Sequence, residues 1–178
     1  MGEQSDKPSD ESVVFQADRY QIRRVTYQTA DGGSHSRDII RHPGAVVLLP
    51  ITDDGQIVMI RNYRVSLDRF LLEIPAGTME PGEEAAVTAE RELIEETGYR
   101  AGTLQYLRTF YASPGICDEA MHLFLATQLT AGPPQREAYE SIENELVSFE
   151  QAGRWLADGT IQDGKSLVAL LDYFARSA

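Results

Sequence analysis

The sequence predicts an α/β protein with a leading N-terminal β segment, and three stretches carry that reading. Residues 13–40 alternate apolar and polar side chains, as strands do. AVVLLPI at 45–51 is a near-continuous apolar run of the kind a buried strand shows. Residues 84–97 contain neither Gly nor Pro, and Ala85, Ala89 and Leu93 recur at helical spacing ahead of Gly98, which supplies a left-handed stop.

Taken in order, residues 1–12 are polar, acidic and almost without large apolar groups, so they are expected to be a disordered tail. Residues 13–178 are expected to form one domain. Within 13–40, Val14, Tyr20, Ile22, Val25 and Tyr27 alternate with polar neighbours and the pattern breaks at Asp31-Gly32-Gly33, which suggests an antiparallel pair joined by a turn. The length of this segment ahead of the main sheet makes it the expected contact with a second subunit. AVVLLPI, the turn Asp53-Asp54-Gly55 and IVMIRNYR read as a buried hairpin. Leu71–Ile74 is a short strand. Beyond the helix, LQYLRTFYASPG is a strand entering a Pro-Gly loop, AMHLFLATQL is the next strand, and another centres on Leu146-Val147. EQAGRWLADG and KSLVALLDYFAR close the chain as helices.

Composition narrows the partners. A formal net charge of -12, with 16 scattered Lys and Arg, repels a polyanion, so nucleic acid is not an expected partner. Hydrophobic residues make up 42% of the chain, and no apolar run approaches the length that spans a bilayer. Cys117 is the only cysteine, so no intrachain disulfide forms, which suits a reducing compartment. A soluble, cytoplasmic protein without a membrane partner is the expectation.

Function concentrates in GTMEPGEEAAVTAERELIEETGY, residues 77–99. At 100° per residue, Glu92, Glu95 and Glu96 fall within about a third of the helix circumference. Carboxylates that close repel one another unless a cation stands between them, and hard divalent ions, Mg²⁺ or Mn²⁺, suit oxygen ligands. Gly77 lets backbone carbonyls approach the same place. Glu83 opens the helix, and a fold-back of the loop pairs it with Arg91, making Arg91 an orienting group rather than a ligand.

Other groups are candidates for the substrate. Arg37 and Arg41 precede the first core strand, Arg61 and Arg64 end the second, and together such arginines can hold a diphosphate. Glu73 is either an edge-strand charge or faces the ligand. The loop from Ser113 to Glu119 lies between two core strands, where ligand contacts concentrate, and Cys117 there reads as a wall residue rather than a nucleophile. Glu137, Glu140 and Glu143 follow Pro133-Pro134, and one of them is placed to supply the base that activates water. Gly159–Ser166, GTIQDGKS, matches the phosphate-loop pattern GxxxxGK[ST], but a helical pattern rather than a strand feeds it, so a nucleotide-binding loop is not expected.

Gly77, Glu83, Arg91, Glu92, Leu93, Glu95, Glu96 and Gly98 stand at the fixed positions of G-x5-E-x7-R-E-U-x-E-E-x-G-U, where U is bulky and aliphatic. This stretch resembles the Nudix box, departing from it only at Tyr99, a packing position. The landmarks HPGAV, IRNYR, LEIPAG and YASPGICDE, in that order, are similar to those of the ADP-ribose (ADP-sugar) pyrophosphatase branch of Nudix hydrolases.

The resemblance implies an α/β/α sandwich on a mixed sheet, usually a homodimer whose N-terminal strands cross between subunits. It implies Mg²⁺ held by Glu92, Glu96 and the carbonyl of Ala76, with Glu95 helping a further ion. Arg64 matches a substrate-binding arginine, and Pro114 matches the branch's loop proline. Glu140 best matches the base, with Glu137 and Glu143 in reserve. The implied reaction is hydrolysis of ADP-ribose to AMP and ribose 5-phosphate. Another nucleoside diphosphate sugar, such as GDP-mannose or ADP-glucose, is the near alternative. A ligand-sensing module without catalysis is the distant one, and it is disfavoured because every box glutamate is present.

Overall fold

The computed structural model describes residues 8–136 and 141–177. Its contacts divide the chain into two compact units, one within Met1–Gly44 and Tyr111–Ala120, the other within Ala45–Phe110 and Met121–Ala178.

The first unit is an antiparallel sheet of three strands, β1 (Pro8–Gln16), β2 (Gln21–Gln28) and β3 (Ser34–Arg41), in the order β1-β2-β3. The turn expected at Asp31-Gly32-Gly33 joins β2 to β3, with Gly32 at φ +81° and the Thr29 carbonyl accepting from the Gly32 N–H at 2.9 Å. The expected pair is therefore β2 and β3, and β1 is a third strand beside it. Residues 8–12, assigned to the disordered tail from composition, open β1, because its backbone pairs with β2 from Pro8↔Tyr27 to Gln16↔Gln21. Composition registers side chains, whereas a strand is held by backbone groups that every residue carries, Pro lacking only the N–H. The segment 111–120 returns to β3, where the Ile40 N–H donates to Ile116 O at 2.8 Å and the Asp118 N–H to Ile40 O at 3.1 Å.

The second unit is built around β4 (Ala45–Pro50), every residue of which is buried. Val46 and Leu48 point to one face, where they meet Ala89 and Leu93 together with Phe124 and Ala126. Val47 and Leu49 point to the other, among Ile57, Met59, Leu72, Ile74, Val147, Ala152 and Leu170. Such alternation into two cores explains the unbroken apolar run: with both faces covered, no position needs a polar side chain. Each fully buried Leu or Ile contributes roughly 1.5–3 kcal/mol.

The hairpin expected from AVVLLPI and IVMIRNYR does not form. β4 sits in a mixed sheet whose strands run in the order β7 (Ala76–Thr78), β4, β9 (Ala120–Thr130), β8 (Arg100–Tyr111), while β5 (Gln56–Arg64) lies in a second sheet in the order β10 (Ile142–Ser148), β5, β6 (Arg69–Glu73). Past the end of β4 the bridge Ile51↔Ile57 and the bond from the Thr52 N–H to Gln56 O at 2.9 Å close the turn, but no ladder continues along β4 and β5. A tight turn followed by an apolar strand is compatible with a hairpin and with a crossing between packed sheets, and burial on both faces of β4 selects the second.

In the mixed sheet β4 runs parallel to β9 (Ala120–Thr130) and antiparallel to the short β7 (Ala76–Thr78), with β8 (Arg100–Tyr111) at the far edge. In the second sheet β5 pairs antiparallel with both β6 (Arg69–Glu73) and β10 (Ile142–Ser148). The acidic helix is α1 (Ala85–Glu92), continued by a π-helical turn over Leu93–Thr97 and stopped at Gly98 with φ +80°. Its stripe of Ala85, Ala89 and Leu93 packs on the first core, as the spacing predicts. α2 (Phe149–Ala157) and α3 (Gly164–Ser177) send Ala152, Ala169 and Leu170 into the second. Helices on the two outer sides of a mixed sheet make this the expected α/β/α sandwich.

Candidate active site

The register of β7 on β4, Val47↔Ala76 and Val46↔Gly77, fixes the backbone against which the acidic helix lies. The Ala76 N–H donates to a Glu96 carboxylate oxygen at 2.9 Å. A Cβ on Gly77 would stand 1.8 Å from the Glu92 carboxyl carbon, so only glycine allows that carboxylate to lie against the strand. Two of the three helix glutamates are thus brought to one step of backbone. Glu96 is 5% exposed, while Glu95 lies nearer the surface.

The fold-back of the loop before α1 closes as expected. Arg91 donates from Nη2 to Glu83 at 3.1 Å, from Nη1 to Glu92 at 2.7 Å and from Nη1 to Glu95 at 3.0 Å. One guanidinium therefore ties together carboxylates that would otherwise repel each other. The hydrogen bond from Arg91, helped by the Glu80 N–H at 3.1 Å, draws the Glu83 pKa down to about 2. Glu83 foremost, then Glu92 and Glu95, raise the guanidinium pKa of Arg91 above its ordinary value.

The carbonyls that end the π turn are also held. The Gln135 N–H donates to Glu95 O at 3.0 Å, Arg136 Nε to Glu96 O at 2.9 Å, and Asn144 Nδ2 to Thr97 O at 2.7 Å. These partners satisfy groups that a helix leaves open at its C-terminus. Nothing in the local sequence marks Arg136 or Asn144, because their targets are backbone atoms of a distant turn.

Among the described residues, no three His, Cys, Asp or Glu side chains form a metal cage. Two carboxylates and a backbone carbonyl suffice for Mg²⁺, which usually keeps waters and takes its remaining ligands from substrate phosphates. Glu92, Glu96 and Ala76, converging where Gly77 has no side chain, fit such an ion.

The other candidates divide by location. Arg64 donates from Nε to Glu73 at 2.7 Å, and Glu73, though it ends the edge strand β6, is completely buried and also bound by Lys165, so it is not a solvent-exposed edge charge. Arg61 pairs with Glu145 at 2.6 Å. Glu143 is exposed on β10, opposite Arg61 in register. Glu137 and Glu140 lie outside the described residues. In the first unit, Arg37 stands over the Tyr27 ring with its guanidinium carbon 5.9 Å from the centroid. Arg41 binds Glu11 at 2.9 Å and Asp118 at 3.0 Å. Pro114 lines a groove of about 260 Å³ with Ile39, Arg41, Tyr111, Cys117 and Asp118, and Glu119 lies 3.7 Å from His42 Nδ1. Burial raises the Cys117 pKa, which suits a wall residue and not a nucleophile.

Residues 40–170 match the NUDIX domain. The chain belongs to the Nudix family. The chain is 42% identical over 142 residues to an ADP-ribose pyrophosphatase of Bacillus subtilis (strain 168), covering 79% of this chain and 77% of that protein. It is 34% identical to a GDP-mannose pyrophosphatase of Klebsiella pneumoniae, covering 88% of this chain and 85% of that one. A solved crystal structure of an ADP compounds hydrolase superposes with TM-score 0.80 at 22% identity, covering 93% of this chain and 90% of the other. At that identity the likeness speaks for the Nudix fold alone.

The Glu83–Arg91 pair has a pH signature. A carboxylate whose pKa is lowered on folding stabilises the protein above its unfolded value, here 4.5, and loses that contribution as pH falls toward about 2. The Tm difference between wild type and Glu83→Gln is expected to be constant from pH 7 to about 5 and to narrow below that. A difference that stays the same down to the acid limit of folding removes the pair as its source.

Proposed function

We propose that this Nudix pyrophosphatase hydrolyses the diphosphate bond of ADP-ribose or a closely related ADP-sugar, releasing AMP and a sugar phosphate. The observation that carries the reading is the meeting of Glu92 and Glu96 at the Ala76-Gly77 step, beside Arg91. The relatedness to an ADP-ribose pyrophosphatase supports the substrate.

Nudix pyrophosphatases work with a divalent metal, and Mg²⁺, replaceable by Mn²⁺, is the ion proposed here. When bound, it offsets diphosphate charge and makes water more acidic. Glu92, Glu96 and the Ala76 carbonyl hold it, Glu95 assists with a further ion, and Arg91 keeps the carboxylates aimed. Arg64 uses Nε and Nη2 on Glu73, so its Nη1 is the nitrogen assigned to the diphosphate. Arg61 adds positive charge for the same group. Glu140 is the proposed base, accepting the proton of the attacking water, with Glu137 and Glu143 in reserve.

The protein is further proposed to be a cytoplasmic homodimer, with residues 13–178 as its functional domain and the β segment 13–40 as the subunit contact. In support, β1 is an edge strand on which Val13, Val14 and Phe15 are each about half exposed, and an apolar strand edge calls for a partner. Sedimentation equilibrium is expected to return twice the chain mass, and a monomer at assay concentration would remove this part.

GDP-mannose is the second reading, supported by the 34% identical relative that spans 88% of this chain. The deciding assay incubates purified protein and Mg²⁺ with ADP-ribose, ADP-glucose and GDP-mannose, with EDTA controls. AMP formation that favours ADP-ribose and vanishes in EDTA is the expected result. Preference for GDP-mannose would keep the metal site and change the substrate, whereas no turnover of any would count against catalysis. Glu96→Gln is expected to fold with wild-type circular dichroism and to lose on the order of 10²-fold or more in rate. Full turnover at saturating Mg²⁺ would dismiss the metal assignment.

A further inference from the structure

The phosphate-loop pattern at 159–166 is not idle. Its lysine points inward: Lys165 is 8% exposed, pairs with Glu73, and donates to Asp163 at 3.0 Å. Asp163 organises the start of α3, accepting from the Ser166 N–H at 3.0 Å and from the Ser166 hydroxyl at 2.6 Å. Ser166 Oγ in turn accepts from the Ile74 N–H at 2.8 Å. The first turn of α3 is thereby fastened to two successive residues, Glu73 and Ile74, of the segment that runs into Ala76.

Glu73 has no exposure, so its charge is tolerable only if neutralised where it stands. Arg64 and Lys165 supply two positive charges, Glu73 and Asp163 two negative, and the group sums to zero. Arg64, with 40% of its side chain exposed, is the member that reaches solvent. Its pKa is raised chiefly by the hydrogen bond to Glu73, and Asp163 and Glu96 lie close enough to add to the effect. An arginine on a flexible stem has many rotamers, and gripping two of its nitrogens leaves a single direction for the third.

We propose that Lys165 and Glu73 are positioning residues for the reaction: Lys165 fixes the Glu73 carboxylate, which fixes Arg64 toward the substrate diphosphate. Glu73 acts through Arg64 and does not touch the substrate. This inference rests on the substrate role given to Arg64 above, and its test separates the two.

Lys165→Met, Arg64→Ala and the double variant are compared in ADP-ribose hydrolysis with Mg²⁺. Lys165→Met is expected to lower kcat/KM by about 10- to 100-fold, mainly through KM, as misaiming a binding group does. Lys165→Arg restores most of the loss. In the Arg64→Ala background, Lys165→Met costs less than about 2-fold, since the two act along one path. Equal losses in both backgrounds would overturn the proposal and leave Lys165 a purely structural residue.

The second readout needs no turnover. The NMR signal of the Arg64 Nε–H, assigned by its loss in Arg64→Ala, moves in Lys165→Met toward the solvent-exposed arginines. An unmoved signal overturns the proposal. Should Lys165→Met fail to fold, Glu73→Gln/Lys165→Met, which leaves that pair uncharged, is read by the same signal with the same expectation. A wild type that leaves ADP-ribose intact defeats the substrate assignment, while the NMR result still decides whether Lys165 sets Arg64.

Discussion

Three glutamates at 92, 95 and 96 crowd negative charge onto little more than one helical turn, and the surroundings are arranged to contain it. Arg91 answers Glu92 and Glu95 directly and recruits Glu83 from the preceding loop to hold its own guanidinium in place. Glu96 turns inward to the Ala76 N–H. The π turn that carries Glu95 and Glu96 is wider than an α turn, and its terminal carbonyls are held by Gln135, Arg136 and Asn144. Repulsion that would fray an isolated helix is converted into a set of fixed carboxylates, the arrangement a hard cation needs.

The rigidity behind that set comes from β4. Being buried on both faces, it cannot shift toward either core without losing packing on the other, and β7 is registered on it residue by residue. Ala76 and Gly77 inherit that position. The second charged group, around Glu73, is fastened to the same segment three residues earlier. The carboxylates proposed for a metal and the arginine proposed for a diphosphate are therefore referred to one length of backbone, and α3 stabilises it from the opposite side through Ser166 and Lys165.

Much of this was legible in the order of residues. The helix, its stop at Gly98, its apolar stripe and its crowded glutamates follow from local spacing, and so does the Glu83–Arg91 pair, since both members lie within one loop-helix unit. What escaped was non-local. The strands β4 and β5 look like a hairpin because the turn between them is short, but which sheet each joins depends on β9, β10 and the helices that cover them. β1 was hidden because polar residues can pair through their backbone as well as apolar ones. Glu73 was ambiguous because a strand charge is read from its neighbours in sequence, and its partner Lys165 lies 92 residues away.

The sequence by itself determined the family, the acidic helix and the identity of the carboxylates, because those depend on spacing within a few helical turns. Tertiary structure alone decided that Gly77 must be bare for Glu92 to lie against it, that Glu73 is sealed between Arg64 and Lys165, and that distant Arg136 and Asn144 close the helix end. These are contacts between atoms far apart along the chain, and their energy exists only once packing has brought them together and removed the water between them.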